Sequence, residues 1–405
     1  MLRRPKATDI TIAVFQGKTG LDALRSTWDN VVSGMTHRRF FHLWEWYYSY
    51  LKCLEPPHNT LMFFLITKGK IPVAILPLHF DRISLGGLQL KALTFPSHDH
   101  LLLCDFICHR DALTLPLFDI LSQYLRNQRK IWDVIQLPHL LKDACAVKVI
   151  EKYPSARFLL CHENYCDFMD TTGKYASFVS ELSRNFKRSL KRARQCLDRL
   201  PGVRFASTHN GPELEEHLDA FMNVEASGWK GSLGTGTAIK LHPDLRCFYR
   251  QLISTLSASE RVSINTLTAD GKCIAAQFCL LVDDTAYLLK IGHDEAYNRC
   301  APGKLLLDFF IKRSMEDCAI QNINYVTDSE WHKDWKPQTH DKFTLYLFNV
   351  SPIGLIGFVI LKSYLILKAN YQTYIKHRLS KRIRERIGVF FHEKFSDPSN
   401  ELRMK

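Results

Sequence analysis

The chain has 405 residues, 46% of them hydrophobic, and 54 Lys and Arg against 41 Asp and Glu, for a formal net charge of +13. That length and apolar content exclude a disordered chain and leave room for two domains with cores of their own. The charge is concentrated: Ser183–Arg204 holds eight basic residues against one acid, Ser351–Lys405 eleven against four, and the remainder 35 against 36. A uniformly basic coat is excluded, and an anionic partner is expected at defined places.

The N-terminal MLRRPK is basic, but the apolar run behind it, Ile10 to Phe15, is short, interrupted by Thr11 and followed by no small-residue cleavage pattern. It does not read as a signal peptide. No stretch supplies the roughly 18 apolar residues of a membrane span, so a soluble chain is expected. The twelve cysteines include no CxxC pair, and Cys104/Cys108-His109 and Cys161-His162/Cys166 complete no zinc spacing. They read as reduced, mostly buried thiols of a cytoplasmic protein, with no metal.

Leu21–Leu54 reads as helical and aromatic-rich, its Trp28, Phe40, Phe41, Trp44, Trp46, Tyr47 and Tyr50 suiting a core. Leu61–Thr67 and Ile71–Phe80 are strands joined at Lys68-Gly69-Lys70, a hairpin signal, and Leu88–Phe95 is a third. The loop Pro96–His100 is polar; its adjacent His98, Asp99 and His100 lack ligand spacing. Ala112–Arg126 reads as an amphipathic helix and Trp132–Leu137 as a strand. In Lys174–Leu200 the apolar positions Phe178, Leu182, Phe186, Leu190, Ala193 and Leu197 recur every three or four residues. Between them stand Arg184, Lys187, Arg188, Lys191, Arg192 and Arg194, giving one apolar and one cationic face. Pro201-Gly202 stops that helix, and Val203–Ser207 is strand-like.

Pro212–Ser227 and Asp244–Leu256 read as helices on either side of the glycine-rich loop Gly231–Thr237. Val262–Thr268 and Cys273–Val282 are strands closed by Asp270-Gly271, a two-residue hairpin turn. The run Ala286–Ile291 is a buried strand, followed by a polar loop and by Pro302-Gly303 opening a helix with Leu305, Leu306, Phe309, Phe310 and Met315 at helical spacing. Strand, loop and helix N-terminus is an arrangement that takes phosphate, with Arg299 and Lys304 beside it; an ordinary βα turn with solvated basic residues is the alternative. Ile323–Val326 and Phe343–Phe348 are strands flanking the polar aromatic loop Trp331–Lys336.

The segments E-x-x-G-W-K-G (Glu225 to Gly231), G-T-A-I (Gly236 to Ile239), D-G-K-x-I-A-A (Asp270 to Ala276), L-K-I-G-H-D-E-A-Y (Leu289 to Tyr297) and A-P-G-K-L-L (Ala301 to Leu306), with I-P-V-A-I-L-P-L (Ile71 to Leu78), resemble the CelD-like GNAT acetyltransferases of bacterial cellulose and exopolysaccharide biosynthesis. The resemblance runs from about Trp28 to Phe348 and extends to the Fem-type aminoacyltransferases. It implies an α+β fold of two tandem GNAT-like domains, mixed sheets flanked by helices, over 1–170 and 171–350. The remaining 351–405 is expected to form a basic amphipathic helix.

The resemblance further implies transfer of an acetyl or acyl group from acyl-CoA, with no metal, to an amine or hydroxyl of a sugar or lipid-linked glycan. The donor would lie on Lys290, Arg299, Gly303 and Lys304. In the GNAT pattern R-x-x-G-x-G/A, Pro302 here replaces the first glycine and Lys304 the last, so backbone donors give way to charge. Glu225, Asp294 and Asp328 are the candidate bases, and Tyr297 is placed to protonate the leaving thiolate. Trp229, Lys230, Trp331 and Trp335 would contact the acceptor. Aminoacyl-tRNA is the alternative donor, accounting for the basic 183–204 segment, and a non-catalytic GNAT-fold scaffold is the reading from another class. The apolar run Ile353–Leu361 and the basic residues after it suit an anionic membrane surface, at the inner face.

Overall fold

The computed structural model describes residues 9–56 and 60–371. Its elements run β1 (Ile10–Gln16), α1 (Gly17–Ala23), α2 (Arg25–Ser33), α3 (Trp44–Cys53), β2 (Met62–Lys68), β3 (Ile71–Leu85), β4 (Leu88–Thr94), β5 (Ile107–Cys108), α4 (Leu117–Asn127), β6 (Val134–Leu141), α5 (Cys145–Lys152) and β7 (Phe158–Asp170). There follow α6 (Tyr175–Glu181), α7 (Arg184–Leu197), β8 (Arg204–Thr208), α8 (Glu213–Ala226), α9 (Pro243–Leu256), β9 (Val262–Ala269), β10 (Lys272–Val282), β11 (Thr285–His293), α10 (Pro302–Asp317), β12 (Asn322–Asn324), β13 (Gln338–Phe348) and α11 (Pro352–Asn370).

The chain divides into two compact units. One takes its described residues from the spans Met1–Thr36, Glu55–Glu163 and Lys342–Lys405, the other from His37–Leu54 and Asn164–Asp341. In the first, β1, β2, β3 and β4 form an antiparallel meander, β4 pairs parallel with β6, and β6 pairs antiparallel with β13. The helix α4 lies in the crossover from β4 to β6, as a parallel pair requires. In the second, β8 to β11 form the meander, β11 pairs parallel with β12 across α10, and β12 pairs antiparallel with β7. Both units therefore repeat one topology, and the two similar α+β halves expected from the sequence are present.

Each unit has its own core. Phe64, Ile75, Phe95, Phe106, Leu121 and Ile135 are among the buried side chains of the first. In the second, Leu190, Leu267, Ala275, Leu306, Phe310 and Trp335 pack together. The aromatic segment Leu21–Leu54, which reads as helical, comprises the end of α1, then α2, a short turn at Phe40–His42 and α3. Its Trp46, Tyr47 and Tyr50 are buried, with Trp46 edge-on to Phe248, so these are core residues. The predicted helix Lys174–Leu200 is split at Leu182, whose extended backbone admits Ser183 as N-cap; its hydroxyl accepts from the Phe186 amide at 3.1 Å.

Two expectations are corrected. Six of the twelve cysteines are paired, as Cys53–Cys247, Cys108–Cys145 and Cys196–Cys300, and Cys104, Cys161, Cys166, Cys273, Cys279 and Cys318 are free. The pairs are 194, 37 and 104 residues apart in sequence, beyond the reach of spacing rules. Second, α11 is a 19-residue helix long and apolar enough to cross a membrane by length and composition. Lys362 and Lys368 interrupt the apolar run in sequence without ending the helix. The basic residues beyond Tyr371 lie outside the described residues.

Candidate active site

The candidate site is built on β11. Its sequence, TAYLLKIGH, is an apolar run that pairs along one edge with β10 from Thr285 to His293. That pairing shifts register between Phe278 and Cys279, which face Lys290 and Leu288, so Leu289 is the extra residue of a β-bulge. Along its other edge β11 pairs with β12 only at Thr285, Ala286 and Tyr287. There β12 turns away. The Asn324 side chain accepts from the Val326 amide at 2.8 Å, and Val326 takes a φ of 64°, a left-handed conformation that a β-branched residue adopts only at a cost. From Leu288 onward β11 has no paired strand on its β12 side among the described residues.

A loop and helix close the end of this opening. The Asp294 carboxylate caps the loop, accepting from the Ala296 amide at 3.0 Å, and takes an ion pair from Lys272 at 2.6 Å. Burial would raise the Asp294 carboxyl, but the Lys272 hydrogen bond, the Ala296 amide and the neighbouring cationic charge hold it below the usual range. Lys272 also lies 5.7 Å from the centre of the Tyr297 ring. Ala301, at φ 43°, turns the chain into α10, whose first residue is Pro302. The N–H groups of Gly303 and Lys304 then stand in the first turn, where a helix has no internal acceptor.

The other wall comes from α8 and the glycine-rich loop. Glu225, only 4% exposed, accepts from the Lys230 ammonium at 3.0 Å and from the Ile239 amide at 2.9 Å. Lys230 reaches the Ile291 carbonyl of β11 at 3.4 Å. Gly292 makes this approach possible, because a Cβ there would lie 2.7 Å from the Glu225 Cα. The Trp229 amide donates to Glu295 at 2.9 Å, leaving the indole 59% exposed beside the loop. Lys230 thus holds Glu225 to β11, the Trp229 amide contacts the loop after it through Glu295, and Lys272 holds Asp294 and Tyr297 within that loop.

α7 lies against the same loop. Cys196 is bonded to Cys300, and Lys304 lies 3.5 Å from the Ser189 hydroxyl and 4.7 Å from the Phe186 ring centre. Arg184, Arg188, Lys191, Arg192 and Arg194 point outward, while Arg194 also reaches Asp308, which accepts from Tyr175 at 2.6 Å. Arg299 is exposed and Lys290 half-buried on β11.

Asp328 and the C-terminal aromatics fall in a different network. Asp328 is exposed; its negative charge faces His332. His332 and Asp167 are both buried and share a 2.7 Å hydrogen bond, with Tyr325 stacked on the imidazole at 4.5 Å. Burial lowers the His332 pKa despite that carboxylate. Trp331 is 41% exposed, edge-on to Tyr325. Trp335 is 1% exposed, stacked on Phe178 and edge-on to Phe186, and in this conformation presents no face to a ligand. The Asp167–His332 pair has no sequence signature, since 165 residues separate its members. A cavity of about 430 Å³ lined by Ser207, Arg261, Ser263, Asp283 and Arg313 lies at the opposite end of β11, by Thr285. No cluster of three or more His, Cys, Asp or Glu fit to hold a metal occurs among the described residues.

A meander whose fourth strand bulges and parts from a parallel fifth strand, followed by a loop and a helix N-terminus, is a GNAT-like fold. In agreement, residues 184–336 match the family model described as an acetyltransferase (GNAT) domain. Among solved structures the chain is similar to FemX, with 9% identity, 82% of this chain and 97% of that chain covered, and a TM-score of 0.53. It also matches L-PGS from Bacillus licheniformis (10% identity, 84% and 96% covered, TM-score 0.49) and a tandem GNAT protein from the clavulanic acid biosynthesis pathway (10%, 84% and 99%, 0.40). No curated protein matches by sequence.

Proposed function

We propose that this chain is an acyltransferase that moves an acetyl or longer acyl group from acyl-CoA to an amine or hydroxyl of a sugar or lipid-linked polysaccharide precursor. The observation that carries the reading is the opening between β11 and β12, where Leu289 bulges and β11 loses its neighbour after Tyr287. The β11 edge that has no β12 partner beyond Tyr287 suits a thioester carbonyl, whose oxygen gains negative charge as the acceptor attacks. The helix N-terminus at Gly303–Lys304, with Arg299, suits the donor's phosphates. Pro302 removes one amide from that cradle, and Lys304 supplies a charge in its place.

The carboxylates differ in what they are free to do. Glu225 spends both oxygens on Lys230 and Ile239, which suits holding the glycine-rich loop against β11. Asp294 stays ionised beside Lys272, and Tyr297 stands next to that pair. We assign proton transfer to Asp294 or to the exposed Asp328, and acceptor contact to Trp229, Lys230 and Trp331.

The test is the melting temperature with and without acetyl-CoA and longer acyl-CoAs. Ligand at about 100 times its dissociation constant adds roughly 2.7 kcal/mol. A Cβ at Gly303 would meet His293 at 3.6 Å, an ordinary contact; Gly303→Trp is expected to fill the phosphate cradle and abolish the shift, its melting temperature without ligand showing that it folds. A second reading, aminoacyl-tRNA as donor, is favoured by the cationic face of α7 bonded through Cys196–Cys300 to the same loop. It predicts a shift with tRNA that collapses as salt is raised. No shift with any of these leaves the chain a non-catalytic scaffold.

A further inference from the structure

The helix α11 presents two different faces. Gly354, Gly357 and Leu361 are buried, three and four residues apart, and form the inner stripe. A Cβ at Gly354 would lie 2.7 Å from the Asn349 carbonyl oxygen and 2.8 Å from that of Asp133, and one at Gly357 would lie 3.1 Å from the Phe348 ring. Phe358, Tyr364 and Leu365 pack partly against the same cluster of Leu90, Val134 and Phe348. The start of the helix is fixed as well: the Ser351 hydroxyl accepts from the Gly354 amide at 3.0 Å and donates to Asp133 at 2.9 Å.

The outer face is apolar and exposed. Ile353, Leu355, Ile356, Val359, Ile366 and Leu367 are 43–61% exposed. Six large aliphatic side chains on one surface helix exceed what scattered surface apolar residues require. The charges that α11 itself carries have one sign. α11 contains no acidic residue, and Lys362 and Lys368 lie 5.5 and 5.7 Å from the ring centres of Phe358 and Tyr364. In the sequence that follows, residues 371–386 hold six Lys and Arg against one acid, Glu385.

We propose that the outer face of α11 lies in the surface of an anionic lipid bilayer, in the plane of the membrane, with Lys362 and Lys368 toward the headgroups. Aliphatic area and basic charge act together in such binding, each cation near the headgroups adding to an affinity that salt weakens. The glycine stripe argues for this orientation over a transmembrane one: crossing would require α11 to leave the packing of Gly354, Gly357 and Leu361. This inference is independent of the acyl-transfer reading, because none of its residues belongs to the candidate site.

The experiment is co-sedimentation of the full chain with vesicles of phosphatidylcholine alone or with about 30 mol % phosphatidylglycerol. Binding to the anionic vesicles is expected, weakened by salt and about tenfold weaker for Ile356→Asp/Val359→Asp. Both positions are exposed, so the variant should keep the wild-type melting temperature, which is measured alongside. Equal binding by variant and wild type would show that charge alone suffices and overturn the proposal. So would absence of vesicle binding together with a dimer that the variant dissolves, which would make a second copy the occupant. Protein that resists alkaline carbonate extraction from the vesicles would mean that α11 spans, and would also overturn it.

Discussion

Removing the Lys230 ammonium should destabilise the second unit sharply, through the carboxylate it leaves behind. The Glu225 side chain is 2% exposed and that of Lys230 22%. Without Lys230, Glu225 keeps the Ile239 amide as its hydrogen-bond donor. Stripping one partner from a buried ion pair costs about 3–5 kcal/mol. Because Lys230 is partly exposed, water can reach the vacated space, so Lys230→Met should cost about 3 kcal/mol. In a unit of this size that lowers the melting temperature by roughly 6–12 °C. Urea unfolding followed by circular dichroism measures it, with Glu225→Gln/Lys230→Met as the control. Neutralising the stranded carboxylate in the double variant should recover about 2 kcal/mol of the loss. If Lys230→Met unfolds within about 1 kcal/mol of wild type, Glu225 is not held as an ion pair, and its assignment to positioning the loop fails.

Four further outcomes follow from particular contacts. Gly292→Ala would place a Cβ 2.7 Å from the Glu225 Cα, so it should separate α8 from β11 and weaken any acyl-CoA-induced melting shift; an unchanged shift would show that this approach does not shape the opening. Leu190→Ala on α7, at a position 3% exposed, should cost about 2–5 kcal/mol. Replacing the outward Arg188, Lys191 and Arg192 by Gln should change stability by less than about 0.5 kcal/mol per site, and equal effects in urea titrations would contradict the two-faced reading of α7. Denatured, unreduced protein should show six thiols reactive to a thiol reagent and twelve after reduction; twelve before reduction would restore the fully reduced reading. Finally, burial would raise the Glu163 carboxyl, but the charge and hydrogen bonds of His139, with the charge of Lys342, bring it from 4.5 down to about 2. A depressed carboxylate stabilises the fold above its unfolded pKa and loses that contribution as pH falls through the folded one. Up to roughly 3 kcal/mol should therefore fade between about pH 5 and pH 2, a loss that Glu163→Gln should not show.

The sequence made β9, β10 and β11 legible because local rules govern them. Asp270-Gly271 sets the hairpin turn, and apolar runs mark strands buried on both faces. The motif-bearing loops were legible for the same reason, since each is a continuous segment. What could not be read depends on residues far apart in the chain. β7, with its mixed burial pattern and its His162, Glu163, Asp167 and Asp170, lacks a strand's apolar alternation. It is a strand because β12 pairs with it, Ile323 against Met169. The buried Asp167–His332 pair depends on that same long-range pairing. So does the end of the β11–β12 pairing at Tyr287, past which Val326 takes a left-handed φ.

The C-terminal helix shows a different limit. A hydropathy run ends at its first lysine, so the nine residues Ile353–Leu361 read as too short to matter as a span. A helix ends where its backbone conformation ends, and lysines at 362 and 368 are good helix formers. Nor could the sequence say which face would be covered: every position from Ile353 to Leu361 other than Gly354 and Gly357 is large and apolar. The glycines decided it. They have no side chain to hold the sheet away, so the helix approaches through Gly354 and Gly357, and Ile353, Ile356 and Val359 are turned outward. A pair of residues that lowers the hydrophobicity of the segment is thus what leaves an aliphatic face exposed.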